Sequence, residues 1–542
     1  MKKQKMTMAK WLGMGCLIAS TMMTITGCSS DDEPSSNNNG GGEGGATITN
    51  PKVTTGDDDT NYASLSHCSA ILFNDSDRSQ SDSTGTQIGN GDDEFCFTGK
   101  QTLKAGKKYI LKGWVYCRPG SELTIPAGTI IVGDKETKAA LIIEPGAKIH
   151  ATGTEKNPIV FTSEQAKGSR KPGDWGGVII CGKAPNNNGN MAQQIEGGPK
   201  TKHGGTDKDD NSGEFQYVRI EYAGFPFEKD KEINGLTLGS VGAGTKLDHV
   251  QVSYSNDDSF EWFGGTVNAK YLIAYKGWDD DFDTDNGYSG SVQFGLAYRD
   301  SKIADTSYSN TFESDNNKSG TTAAPITSAN FANITTIGPK ANDEKFDNTA
   351  TYIDGNGENP NNGASLGQFQ SAAQIRRGSH INIYNSVFVG WPVGLMIDGQ
   401  DGNTLADAKD GKGPKLQNVF MANMTAEGSD KNSYLKDVLI DWSKKGEDGK
   451  AGVPVDDQLS FSHGYFESQK GCKYFANQAD LQLKGIGALL NVVPTAAGVV
   501  ADWSGVNDSW FDTTVNYAGA FSGEGDTWAT GWTNFDPQNT DY

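Results

Sequence analysis

Two neighbouring stretches repeat one pattern, Glu122-Leu-Thr-Ile-Pro-Ala-Gly-Thr-Ile-Ile131 and Leu141-Ile-Ile-Glu-Pro-Gly-Ala-Lys-Ile149. Each is a short β-branched run, a Pro/Gly corner and a second run, and the two corner prolines, Pro126 and Pro145, stand 19 residues apart. A strand–turn–strand unit of this length cannot bury its apolar face alone, so such units must stack. A period of about 20 residues predicts the coils of a parallel β-helix. Strand character then recurs at Asn157–Ser163, Tyr217–Tyr222, Leu247–Tyr254, Ala269–Tyr275, Ser291–Tyr298, Asn330–Ile337, His380–Val389 and Leu416–Ala422. Many of these alternate apolar and polar residues, as half-buried strands do. Between Asn432 and Lys444 the apolar residues Tyr434, Leu435, Val438, Leu439 and Trp442 fall at helical spacing, which predicts a short helical insertion.

Composition agrees with an all-β solenoid carrying loop excursions. Only 35% of the 542 residues are hydrophobic while 69 are glycine, a mix suited to short strands and many turns. The formal charge is −21, so nucleic acid and anionic lipid should repel the chain.

The N-terminus predicts export and a lipid anchor. Lys2, Lys3, Lys5 and Lys10 precede a short apolar run, Trp11–Thr26, which ends at Gly27-Cys28. A small residue before a cysteine at this point resembles the bacterial lipobox, with Cys28 as the lipidated residue. Cleavage there removes four lysines and no acids, so the mature charge is −21 − 4 = −25. Ser29-Ser30-Asp31-Asp32-Glu33 resembles the surface-export signal of Bacteroidetes lipoproteins, and Pro34–Gly45 reads as a flexible leash. The expected organisation is a signal peptide (1–27), an acidic and Gly/Asn/Ser tether (28–45), an N-terminal cap (46–99), the β-helix (100–430), and C-terminal coils with a cap (431–542).

Of the seven cysteines, Cys16 leaves with the signal and Cys28 is lipidated. Cys68, Cys96, Cys117, Cys181 and Cys472 remain, an odd number in a compartment that permits disulfides. Cys68 with Cys96 is the favoured bridge because the two flank a polar loop; which of the five pair stays open.

From about Lys100 to Lys340 the chain resembles the right-handed parallel β-helix surface lipoproteins of Bacteroidetes, a family of pectate-lyase-like fold. The resemblance rests on Leu123-Thr-Ile-Pro-Ala-Gly-Thr129, Gly173-Asp-Trp-Gly-Gly-Val-Ile-Ile-Cys-Gly-Lys-Ala-Pro185, Glu232-Ile-Asn-Gly-Leu-Thr-Leu-Gly239, Asp257–Asn268 and Asp279–Gly290. It implies a fold and an outer-membrane location facing the cell exterior, and no settled activity.

The chemistry concentrates between residues 256 and 316. Phe260-Glu261-Trp262-Phe263-Gly264 aligns with Phe282-Asp283-Thr284-Asp285-Asn286 at an offset of 22, and then with Phe312-Glu313-Ser314-Asp315-Asn316 at 30. Side chains alternate across a strand. Phe260, Phe282 and Phe312 are therefore expected to stack inward, and Glu261, Asp283 and Glu313 to form one outward row. Asp281, Asp285 and Asp315 are expected in the same patch, with Asp257, Asp258, Asp279 and Asp280 beside it. Carboxylates stacked about 4.8 Å apart need a proton or a cation among them, and hard oxygen ligands favour calcium. The alternating Asp281, Asp283 and Asp285 are candidate calcium ligands, although the closing glutamate of an EF-hand is replaced by Val292. Trp262 and Trp278, in the same segments, are candidates to hold a sugar ring.

Three functions fit these readings. The first is a surface binding protein that captures a ligand such as a glycan and serves an outer-membrane transporter. The second is a carbohydrate-active enzyme, a polysaccharide lyase or glycoside hydrolase; Asp257-Asp258 and Asp279-Asp280-Asp281 resemble the paired aspartates of polygalacturonases, but that family's Gly-His-Gly and Arg-Ile-Lys elements are missing. Arg376-Arg377 is the nearest basic pair in the later coils. The third is a structural or adhesive protein.

Overall fold

The computed structural model describes residues 67–69, 86–189, 193–228, 231–349, 351–357, 366–399, 401–424, 440–445, 451–454 and 461–542. The signal, Cys28 and the tether lie outside them.

Among the described residues the chain winds as a parallel β-helix. One sheet stacks eleven strands in parallel, from His67–Ser69 through Trp114–Cys117, Gly177–Cys181, Leu236–Val241, Phe260–Gly265, Phe282–Asp285, Phe312–Ser314 and Ser371–Ile375 to Val393–Ile397. A second sheet of fifteen strands supplies the rest of each turn. Ala269–Tyr275, Ser291–Tyr298 and Asn330–Ile337 are strands with the bounds expected from the sequence.

Each long strand of the second sheet bends at one residue in left-handed conformation, and these residues stack in register. Tyr217 (φ 49°), His249 (51°), Tyr271 (59°), Phe294 (65°), Asn333 (54°), Asn385 (47°) and Asn418 (55°) form the column. Side-chain stacking offsets the backbone strain of non-glycine residues there. Ring centroids are 4.2 Å apart for Tyr217–His249, 4.4 Å for His249–Tyr271 and 5.0 Å for Tyr271–Phe294, and Asn418 Nδ2 donates to Asn385 Oδ1 at 2.7 Å.

Two expectations are corrected. Ile440–Lys445, which overlaps the end of the expected helix, is a strand paired antiparallel with Ala451–Pro454; residues 432–439 lie outside the described residues. Antiparallel pairing with the neighbouring strand outweighs the local helical spacing here. The C-terminal region also does more than add coils. Beyond Val499 the chain runs back along the outside of the second sheet. Gln417 Nε2 donates to the Asp502 carbonyl (3.0 Å), the Asp512 amide to Gln293 (2.8 Å) and the Asn534 amide to Gln251 (2.9 Å). At its end the Tyr542 hydroxyl donates to Glu221 (2.6 Å), and Lys108 reaches the Tyr542 backbone oxygen (3.1 Å). Trp528 and Trp532 pack on the aromatic part of the bend column.

Candidate functional site

The first sheet sets the site. Its register aligns Leu236, Phe260, Phe282, Phe312 and Ala373 in one row and Thr237, Glu261, Asp283, Glu313 and Gln374 in the next. Phe260, Phe282 and Phe312 point inward, with centroids 5.7 and 5.6 Å apart, and are fully buried. The alternation then turns Glu261, Asp283 and Glu313 away from the solenoid's interior, in the row read from the sequence.

That row is not solvated. Glu261 is 5% exposed, Asp283 7% and Glu313 5%, and Asp258, Asp279 and Asp280 are buried beside them. The cover comes from outside the sheet. Asn234 donates from its amide to Glu261, the Ser307 hydroxyl to Asp279, and the Asn310 amide to Asp280. A hairpin of Gln193–Gln194 and Lys202–His203 carries Ile195 and His203 onto Gly239, and Glu196 next to Glu261. None of this cover is in register with the row, so the repeat that reveals the row does not reveal its burial.

Ligand oxygens gather in three overlapping groups: Asp257, Asp258 and Asp279; Asp258, Glu261 and Asp283; and Asp280, Asp283 and Glu313. Within each group one oxygen per residue lies within 4.8 Å of the others. Asp258 and Asp283 are shared, so the groups join into one acidic chain across three coils. Burial first, then the neighbouring acids, holds Asp258, Glu261 and Asp283 well above the usual carboxylate range. Asp280 and Glu313 are raised too, since burial outweighs the nearby arginines. Among the described residues no basic side chain pairs with Asp258, Glu261 or Asp283. Asp283 Oδ1 is sealed from solvent and accepts no hydrogen bond.

The far end differs. Arg376 follows the strand that stacks on Phe312–Ser314, and its guanidinium bonds both Glu313 and Asp315, the latter at 2.8 Å; Arg377 bonds Asp315 at 2.9 Å. Asp285, beside Asp315, is pushed up to about 8 by burial and by that neighbour.

Other residues singled out from the sequence go elsewhere. Asp281 leaves the patch: it pairs at 2.9 Å with Arg299, both fully buried. Of Asp281, Asp283 and Asp285, only Asp283 shares a ligand group, so the three do not form a calcium loop. Trp262 points inward, against Phe260, Tyr288 and Phe331, and Trp278 is sealed in a cluster with Tyr222, Tyr254 and Tyr275. Neither has a face to offer a sugar. The period-2 rule places Trp262 with Phe260, two residues before it, a signal present in the sequence. Cys96 is disulfide-bonded, and Cys68 stands opposite it in the parallel register; Cys117, Cys181 and Cys472 are free thiols.

No curated protein and no solved structure matches the sequence. Residues 96–457 match the family model described as a pectate-lyase-like β-helix domain. That span takes in the whole acidic row and, from the strand at Phe95–Phe97 onward, both sheets except the last strand of the second, Lys473–Phe475, and the stacked parallel coils are the architecture that the description names; the chain belongs to the pectate-lyase-like β-helix family.

Proposed function

We propose that this chain is a lipid-anchored protein of the outer-membrane surface whose β-helix binds a divalent cation, calcium by its ligand chemistry, and uses that site to hold a ligand or partner. The observation that carries the reading is Asp283: a buried carboxylate oxygen without a partner, flanked by Asp258 and Glu261 on one side and Asp280 and Glu313 on the other. Burying this much like charge costs far more than a sheet returns, unless a cation or protons neutralise it. Hard oxygens within bonding reach of one centre suit calcium. The anchor rests on Lys2–Cys28 and the surface address on Asp31, Asp32 and Glu33. A glycan or an outer-membrane transporter is the partner that an anchored solenoid of this kind would serve.

A carbohydrate-active enzyme is the second reading, favoured by the paired acids Asp257-Asp258 and Asp279-Asp280 on adjacent coils. Two features count against it. The row is closed over, which leaves a polymer little access, and Arg376, the basic group nearest the row, is held in its charged form by Glu313 and Asp315 and is a poor proton acceptor. Fold alone confers no activity.

Calcium titration by calorimetry into the chelator-treated full chain tests the site. Saturable binding that Glu261→Gln weakens is expected; heats no larger than those of sodium would refute it. Fractionation of cells making Cys28→Ala tests the anchor, with loss of membrane attachment expected. Release of reducing ends or unsaturated sugars from acidic polysaccharides would instead establish the enzyme.

A further inference from the structure

A second site lies away from the acidic row, where the helix Phe461–Ser468 faces the turn between Ala408 and Lys415. The two walls flank a wide-mouthed cleft of about 900 Å³, within the size range of small-molecule sites, and the Tyr465 hydroxyl donates to the Pro414 carbonyl to join them. The helix wall presents Phe461 and Tyr465, one turn apart, with ring centroids at 5.6 Å and 30° between the planes. The opposite wall carries Lys409, Lys412 and Lys415. Lys412 is engaged by Asp407 and by Asp410, the latter at 2.9 Å. Lys409 and Lys415 pair with no carboxylate among the described residues, and their amines stand 5.5 Å from the Phe461 ring and 5.7 Å from the Tyr384 ring. Two lysines without a carboxylate partner on one wall of an open cleft, Lys409 against the Phe461 ring of the other wall and Lys415 beside Tyr384 just outside the lining, run against the character of a chain with net charge −21.

Two glycines of the lining, Gly411 and Gly464, are exposed and border open space. A Cβ added at Gly411 or at Gly464 would meet no atom within 4 Å. Gly464 occupies the helix interior, where glycine is less favourable than alanine. No packing neighbour demands it there, and its effect is to keep the cleft open between the rings and the lysines.

We propose that this cleft binds a small ring compound bearing one anionic group, a sugar carboxylate or sugar phosphate, with the ring laid against Phe461 and Tyr465 and the anion between Lys409 and Lys415. Lysine ammonium groups are point charges that accept either anion, so the geometry fixes charge and ring and leaves the acid group open. Aromatic faces take the apolar side of a sugar, and the amines supply the specificity.

The test is calorimetric titration of the purified full chain with glucuronate, glucose 6-phosphate and uncharged glucose. At least one anionic sugar should bind about tenfold or more tightly than glucose, a difference that shrinks as sodium chloride is raised. The tighter of the two anions identifies the acid group. Gly464→Leu fills the cleft with a better helix former, and should abolish binding while the unfolding temperature holds or rises. Lys409→Gln with Lys415→Gln, both exposed, should reduce anion binding to the level of glucose. The proposal falls if glucose binds as well as the anions, if neither anion binds up to about 50 mM, some tenfold beyond the weak millimolar range, or if Gly464→Leu binds like the unaltered protein.

Discussion

At Glu313 and Asp315 the acidic row meets Arg376 and Arg377; two coils away, at Asp258 and Glu261, it meets further acids, Asp257 and Glu196. Both ends are built on the same phenylalanine ladder and are equally buried. A solvated row would need neither arrangement. The arginine end shows how this fold neutralises buried carboxylates with its own side chains. The other end has the same electrostatic problem, no basic side chain among the described residues to solve it, and oxygens close enough to share one cation. Asp283 sits at the junction, with neighbours from both groups.

Removing the arginine should make the two ends alike. Arg376→Met leaves Glu313 buried without its guanidinium and is expected to cost about 3–5 kcal/mol in denaturant unfolding. Calcium should recover part of that loss, since a cation can take the vacated place; a loss identical with and without calcium would separate the two ends. Phe282→Ala is the control beneath both. It should cost about 3–5 kcal/mol as a buried aromatic deletion, by the same amount in calcium and in chelator. A negligible effect would mean that the strand's two faces are exchanged.

The hairpin beside the uncompensated end carries its own limit. His203 is fully buried against Phe263, with Nδ1 2.8 Å from the Ser240 hydroxyl, and burial pushes it down to about 3. Its folded value lies below the ordinary 6.5, so the stability it contributes is complete above that pH and drains away as pH falls toward the folded value. By about pH 4 this one ring should remove roughly 3 kcal/mol. Thermal unfolding from neutral to acid pH should show a steeper fall for the unaltered protein than for His203→Phe; parallel curves would put the histidine in contact with water.

Much of this comparison was legible beforehand. The recurrence of Phe-Glu, Phe-Asp and Phe-Glu pairs at offsets of 22 and 30 predicts both the ladder and the row, because alternation and stacking follow from strand geometry even where a loop lengthens one coil. What covers the row was not legible. Asn234, Ser307, Asn310 and Arg376 reach it from excursions and later coils, at separations that no local period encodes. Trp262 was readable as core from its place two residues after Phe260, and its aromatic character drew it into a binding role instead. The bend column was hidden for a related reason: Tyr217, His249 and Asn333 look like ordinary strand residues, and only stacking makes their left-handed backbone affordable. The returning segment beyond Val499 has strand-poor, Gly- and Trp-rich composition that reads as a cap, and its length along the sheet emerges only from its partners.

A cation held at the uncompensated end must raise the unfolding temperature. The chelator-treated full chain should unfold at a higher temperature in millimolar calcium than in sodium chloride of matched ionic strength. The gain should approach about 2.7 kcal/mol at a hundredfold excess over the dissociation constant. Asp283→Asn should lose most of that gain, and Asp315→Asn, at the arginine end, should keep it. If calcium does no better than sodium, while Asp283→Asn makes the metal-free protein more stable, the row is relieved by protons alone and holds no cation.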